Sequence, residues 1–142
     1  MRFGDLVEKI IPDELVSIFE EAKNWTPREY TSGDDPKIVI QKIINNTKPL
    51  GYFDTGLISL AELNNLSWVG TPNNWILIYK QENQGFAKLF NWAENRSLNS
   101  AIRHYIQGIC LGYPIDNIEK FVMDGFKTSD YKLAVIASRI ML

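Results

Sequence analysis

Trp75-Ile76-Leu77-Ile78-Tyr79-Lys80 decides how the rest of the chain is read: five apolar residues in a row, closed by a lysine and the polar stretch Gln81-Glu82-Asn83-Gln84-Gly85. A run this short, β-branched and aromatic, with turn residues after it, predicts a strand buried on both faces. Such a strand needs helices to cover it, and amphipathic patterns flank it along the chain.

Upstream, Phe3, Leu6, Val7 and Ile10 mark one helical face, and Leu15, Ile18, Phe19 and Ala22 mark another that fades at Trp25. Pro12 suits the first position of the second helix, where Asp13 and Glu14 meet the positive end of its dipole. Residues 26–34 read as a loop. Asp35-Pro36 then resembles a cap and a first-turn proline opening a helix through Ile44, although Ile38-Val39-Ile40 and Ile43-Ile44 also fit a strand. Lys48 to Asp54 predicts a short strand ending in a turn, and Leu60 and Leu63 a helix over 59–66. Downstream, Phe86, Leu89, Phe90 and Ala93 form one stripe, and Leu98, Ile102, Tyr105, Ile106 and Ile109 a stronger one. Gly112 stands where a helix-ending glycine belongs and Pro114 where the next helix begins, with Ile115, Ile118, Val122 and Phe126 facing inward. Ser129 can cap a last helix burying Leu133, Ile136, Ala137 and Ile140, with an edge strand over 133–136 as the alternative; 36–44 and 133–142 stay open between helix and strand. The expectation is a helix-rich α/β (α+β) domain of 142 residues with a small central sheet. An acidic helical segment, 1–35, precedes an α/β core, 36–142.

Charge is nearly balanced, 15 basic against 17 acidic side chains, so no global field favours nucleic acid or anionic lipid. The imbalance is local: residues 1–35 hold nine acids against Arg2, Lys9, Lys23 and Arg28. Cys110 is the only cysteine, which rules out an internal disulfide. No apolar run approaches a membrane span, and residues 1–20 mix acids and lysine among apolar positions, unlike a signal peptide. The Asn-x-Ser/Thr triplets at Asn45, Asn65 and Asn95 are then expected to be silent. The chain reads as cytoplasmic.

Phe53-Asp54-Thr55-Gly56 contains Asp-Thr-Gly, the core of the aspartic-protease signature, but the same residues make an ordinary turn after a strand. The downstream apolar-apolar-glycine strand that those proteases also need has only Ile109 to Gly112 as a candidate, on a helical stripe. His104, the only histidine, sits beside Arg103 and has no second histidine with which to build a metal site. A general acid–base role competes there with a partly buried, hydrogen-bonded histidine. Cys110 projects to a different side of its helix from His104, so packing is favoured over nucleophilic use. The spacing of Trp68, Trp75, Tyr79, Phe86 and Phe90 puts most of them on core faces, and interleaved cations for nucleic acid are missing. Trp92 falls off its helix's apolar stripe, so it is expected either exposed, where it is the candidate interface anchor, or under the next helix.

Gly108-Ile109-Cys110-Leu111-Gly112-Tyr113-Pro114, followed by Ile118-Glu119-Lys120-Phe121, is similar to a motif of a small, uncharacterised archaeal family. Its members carry Gly-x-Leu-Leu-Gly-Tyr-Pro-Glu-Cys-Cys-Val-Glu-Phe-Phe. Lys48-Pro49, Gly51-Tyr52-Phe53-Asp54 and the strand ending Tyr79-Lys80 keep the same order, so the resemblance covers about residues 48–121. Ile115 stands in place of the glutamate, and Asp116 and Asn117 in place of the cysteine pair. Thiol or metal chemistry therefore does not carry over. The resemblance implies a compact α/β arrangement and no particular activity.

The leading expectation is a small intracellular non-enzymatic binding protein, an inhibitor or immunity-type partner of another protein. Its contacts would come from Trp92 and the acids Glu14, Glu20, Glu21, Asp34 and Asp35. The rival is a small-molecule or nucleotide-handling enzyme with Asp54, Arg103 and His104 converging in a pocket at the strand ends. No cofactor and no metal are expected.

Overall fold

The computed structural model describes residues 3–95 and 98–125. Phe126 and the helix or strand expected within 129–142 lie outside them. The elements run α1 (Phe3–Glu8), α2 (Asp13–Lys23), α3 (Pro36–Ile44), β1 (Leu50–Phe53), α4 (Ile58–Leu63), β2 (Ser67–Gly70), β3 (Ile76–Tyr79), α5 (Gln84–Asn95), α6 (Ser100–Leu111) and α7 (Ile115–Gly125). Short 3-10 turns, Thr55–Leu57 and Gln81–Asn83, lead into α4 and α5. This is the helix-rich α+β arrangement expected, built on one three-stranded antiparallel sheet in the order β1-β3-β2.

The apolar run forms the central strand, and all four residues of β3 are buried. Because successive side chains point to opposite faces, β3 divides two cores. Leu77 and Tyr79 join Leu50 in the larger one, with Phe3, Val7, Phe19, Phe86, Phe90, Ile102, Tyr105, Ile106 and Ile109. Ile76 and Ile78 join Phe53 in the smaller one, with Val39, Ile40, Ile43, Ala61 and Leu66. The cover is thus two-sided: the later helices and α1–α2 on one face, the earlier α3 and α4 on the other. Residues 36–44 are helix, with Asp35 accepting a hydrogen bond from the Lys37 amide at 2.8 Å and Pro36 in the first turn. The β-branched residues there supply the buried face of a helix, so tertiary burial outweighs their strand preference.

Four expectations need correction. First, β2 is a third strand, pairing with β3 from Ser67↔Tyr79 to Gly70↔Ile76. Ser67 and Val69 are partly buried while Trp68 and Gly70 are exposed, and four residues with one β-branched side chain are too few to show a period. Second, the larger core is not confined to 36–142, since α1 and α2 bury Phe3, Val7, Phe19 and Ala22 in it. Third, Trp75 is 45% exposed and Trp68 also lies at the surface, its indole Nε1 donating to Glu62 at 3.2 Å. Trp75 precedes the strand and escapes its enclosure. Fourth, Trp92 is no free anchor, being partly buried and packed against the larger core.

The hub of that core is α6, which buries Ala101, Ile102, Tyr105, Ile106, Gly108, Ile109 and Cys110 and so is enclosed on most of its circumference. Enclosure of that kind leaves its C-terminal carbonyls to be satisfied inside the protein.

Candidate functional site

Helix α6 ends at Gly112, whose φ of +80° places it in the left-handed region that glycine adopts without strain. The Tyr113 amide reaches back to the Gly108 carbonyl at 3.1 Å and closes the helix, as the Gly-Tyr-Pro sequence predicts. A β-carbon at Gly112 would meet Pro49 Cδ at 2.7 Å, so the chain passes here with no room for a side chain.

Two cations meet the remaining carbonyls at this end. Arg28, in the loop after α2, donates from Nε to the Tyr113 carbonyl (2.7 Å), from Nη1 to Ala22 (2.6 Å) and from Nη2 to Ile109 (2.8 Å). One guanidinium therefore ties the ends of α2 and α6 together, which a forked, planar donor does and an ammonium does not. Lys48, just before β1, donates from Nζ to the Leu111 carbonyl at 2.5 Å and lies 4.9 Å from the centre of the Tyr113 ring. Positive charge at a helix C-terminus complements its dipole. Lys48 is only 3% exposed, and among the described residues no carboxylate makes an ion pair with it; Glu29 and Asp34 pair instead with Lys42, at 2.6 and 3.7 Å. Burial, aided by the charges of Lys42 and Arg28 and opposed by Asp34 and Glu29, pushes the Lys48 ammonium down to about 7.

Leu111 and Tyr113 form a ridge between two hollows, and Tyr52 lines both. The first, of about 380 Å³, is lined by Thr31, Ser32, Asp34, Lys48, Asp54 and Trp75 among others. The second, of about 260 Å³, is lined by Tyr30, Phe90, His104, Gln107, Ile118 and Phe121. Aromatic rings run through both: Trp75 on Tyr52 (4.9 Å between centroids), Tyr52 on Phe90 (5.2 Å), Tyr30 on Tyr113 (4.9 Å) and His104 on Phe121 (5.8 Å). Tyr30 and Phe121 are each 58% exposed. Burial raises the Tyr113 hydroxyl above its ordinary range, against hydrogen bonds to Thr31 and Ser32 that lower it.

The catalytic trio expected from the sequence does not assemble. Asp54 lines the first hollow, where its carboxylate accepts from the Gly56 amide at 2.8 Å and opens the 3-10 turn, as a turn aspartate does. His104 lines the second, its proton affinity lowered by desolvation first and by Arg103 next, with Glu94 opposing. Arg103 is in neither lining; its Nη2 reaches the Ser100 hydroxyl at 3.5 Å. Cys110 is fully buried, which drives its thiol well above the usual range and makes it a poor nucleophile. No group of three or more metal-ligating side chains gathers among the described residues.

Of the acids, Glu14, Glu20 and Glu21 lie exposed on α2 with Asp13. A hydrogen bond that the Glu8 carboxyl, when protonated, donates to the neighbouring Glu20, together with slight desolvation and the charge of Glu20, raises Glu8 above the ordinary carboxylate range. That face therefore concentrates negative charge. Asp35 is engaged as the cap of α3, and Asp34 lines the first hollow while pairing with Lys42. Sequence reasoning missed Arg28, Lys48, Tyr30, Tyr113 and the exposed side of Phe121. The signals for them were a lysine beside a proline just before a strand, and the places of Tyr113 and Phe121 in the stretch that closes α6 and opens α7.

No helix among the described residues is long and apolar enough to cross a membrane. A scan of protein-family models, a search of curated proteins and a search of solved structures each find no match to this chain. The site must therefore be read on its own chemistry.

Proposed function

We propose that the protein is a small cytoplasmic binding protein of the inhibitor or immunity type, holding another protein along the double hollow. The observation that carries this reading is the run of half-exposed rings, Tyr30, Trp75 and Phe121, bordering two adjoining hollows rather than one closed pocket. Aromatic side chains dominate the energetics of protein interfaces, and exposed rings gathered around concave surface are unusual without a partner. Charge selects the partner's chemistry. Asp34 and Asp54 line the first hollow, and Glu14, Glu20 and Glu21 add to the acidic N-terminal third, so a segment combining apolar and basic side chains complements it.

The test is affinity capture from the native cell with wild-type protein and with a Tyr30→Asp/Phe121→Asp variant, partners being identified by mass spectrometry. A protein held by the wild type and lost by at least ~10-fold in the variant, a loss of roughly 1.4 kcal/mol, supports the reading. Equal recovery by both overturns it, as does a co-purifying metabolite with no protein partner.

One observation favours a second reading, a small-molecule or nucleotide-handling protein: the first hollow lies at the end of β1 and has the size of a small-ligand site, with a buried amine in its lining.

A further inference from the structure

Lys48 is the least explained ionisable group in the described residues. Its contact with the Leu111 carbonyl needs only a neutral donor, because Arg28 already brings a full charge to the end of α6. An ammonium held out of water without a carboxylate partner is costly, and a neutral amine in the same place is not. Lys48 is also part of the wall of the larger hollow, so its side chain is covered from bulk water yet borders that space, with Nζ 4.9 Å from the centre of the Tyr113 ring in the same wall.

We propose that Lys48 is a reactive amine, and that the hollow beside it admits a small uncharged aromatic aldehyde or ketone, which condenses with Nζ to form an imine. The Nζ lone pair adds to the carbonyl carbon, and the carbonyl oxygen takes up a proton to give a carbinolamine. Loss of that hydroxyl as water, with the nitrogen lone pair closing the C=N bond, completes the step. Amine and carbonyl become imine and water, with no change in oxidation state. The phenol of Tyr113 and the carboxylate of Asp54, both in the lining, are the groups available to exchange protons with the adduct. The rings of Tyr52, Phe53, Trp75 and Tyr113 select a flat apolar ligand, and the carboxylates of Asp34 and Asp54 disfavour an anionic one.

Six charged or titratable groups surround the amine. Arg28 after α2 and Lys42 on α3 favour its neutral form; Glu29 and Asp34, in the loop before α3, oppose them; Tyr113 and Asp54 share its hollow. With the amine close to half neutral near pH 7, its free fraction exceeds that of an ordinary lysine by about three orders of magnitude, less the lower intrinsic nucleophilicity of a weaker base. The inference goes beyond the binding reading and is independent of it: a cleft that captures no protein leaves the expectation below unchanged.

The experiment treats the full chain with benzaldehyde and cyanoborohydride at pH 6, 7, 8 and 9, followed by intact mass measurement and peptide mapping. Lys37, Lys88 and Lys120, all exposed, are internal references. At pH 7, Lys48 is expected to be labelled at least ~10-fold faster than any of them. Its rate should level off above pH 8, once the amine is almost wholly neutral. In 6 M urea the preference should vanish, and 4-carboxybenzaldehyde should show less preference for Lys48 than benzaldehyde does. Lys48 labelled no faster than the references, or with a rate that keeps climbing to pH 9, overturns the proposal. Lys48→Arg keeps a cation for the Leu111 carbonyl and should lose the fast adduct. The wild-type mapping decides even if that variant fails to fold.

Discussion

The two hollows share a ridge but are made of different material. The first borders the end of α6, where backbone carbonyls need cations, and it holds a lysine and two carboxylates beside its aromatic walls. The second lies against α5, α6 and α7, where side chains of packed helices supply Phe90, Ile118 and Phe121, with His104, Gln107, Asn117 and three tyrosines as polar relief and no carboxylate or ammonium in its lining. The comparison teaches that the chemistry of each hollow follows from what kind of backbone lies behind it. A helix terminus brings unsatisfied acceptors and hence charge; the flank of a helix, with its bonds already made, brings apolar surface. The shared ridge, Leu111 and Tyr113, keeps the two in register.

Removing the pin under the ridge should damage both hollows at once. Arg28→Ala removes three charged hydrogen bonds, leaving the carbonyls of Ala22 and Ile109 with only the backbone amides of Trp25 and Gly112, and is expected to lower unfolding stability by about 3–5 kcal/mol, read from urea titration. Arg28→Lys should recover only part of this, because an ammonium cannot span the three acceptors.

Distorting the ridge itself comes next. Gly112→Ala forces a β-carbon into the left-handed region and against Pro49, for an expected loss of about 2–3 kcal/mol. Little loss would mean that Pro49 and the ridge yield more easily than their packing implies.

The third variant separates the hollows. Burial lowers the Lys48 pKa from 10.5 to about 7, so between these values the unfolded chain holds a proton that the folded protein has released. Stability should therefore rise with pH across that window, while below pH 7 both states are protonated and the cost of burying the charge is present in full. Wild type is expected to gain roughly 2 kcal/mol relative to Lys48→Met between pH 7 and pH 9. Parallel profiles for the two proteins would contradict a depressed Lys48.

The smallest expected effect on folding falls in the second hollow. Phe121 is largely exposed, so Phe121→Ala should shift stability by no more than about 0.5 kcal/mol in a thermal melt. In the capture experiment the same substitution should still weaken partner retention. A large stability loss would instead assign Phe121 to the core and leave the second hollow without its exposed edge.

Much of this architecture was legible in the residues. Five consecutive apolar side chains ahead of a polar bend have few ways to avoid water other than an enclosed strand, and β3 is one. Asp35-Pro36 and Gly112-Tyr113-Pro114 carry capping chemistry that acts over three or four residues, so helix α3 and the end of α6 could be read without any tertiary knowledge. β2 was not legible, because Ser67-Trp68-Val69-Gly70 owes its strand geometry to hydrogen bonds with β3 rather than to its own composition. The clue was indirect: the turn residues Thr71-Pro72-Asn73-Asn74 stand between β2 and the apolar run, as in a hairpin.

The candidate site was almost wholly illegible. Arg28 and Ile109 are 81 positions apart, and Lys48 and Leu111 are 63 apart, so no local pattern announces either contact. Asp54, Arg103 and His104 looked like chemistry because of what they are, yet the fold sends them to different places. The sequence by itself determined which segments would hide from water and where the helices would start and stop, since those depend on neighbours along the chain. Only the tertiary structure decided that two loop cations would meet at the end of one enclosed helix, and that a ridge there would split the surface into a charged hollow and an aromatic one. Burial and long-range hydrogen bonding are properties of distant segments brought together, and no stretch of residues carries them alone.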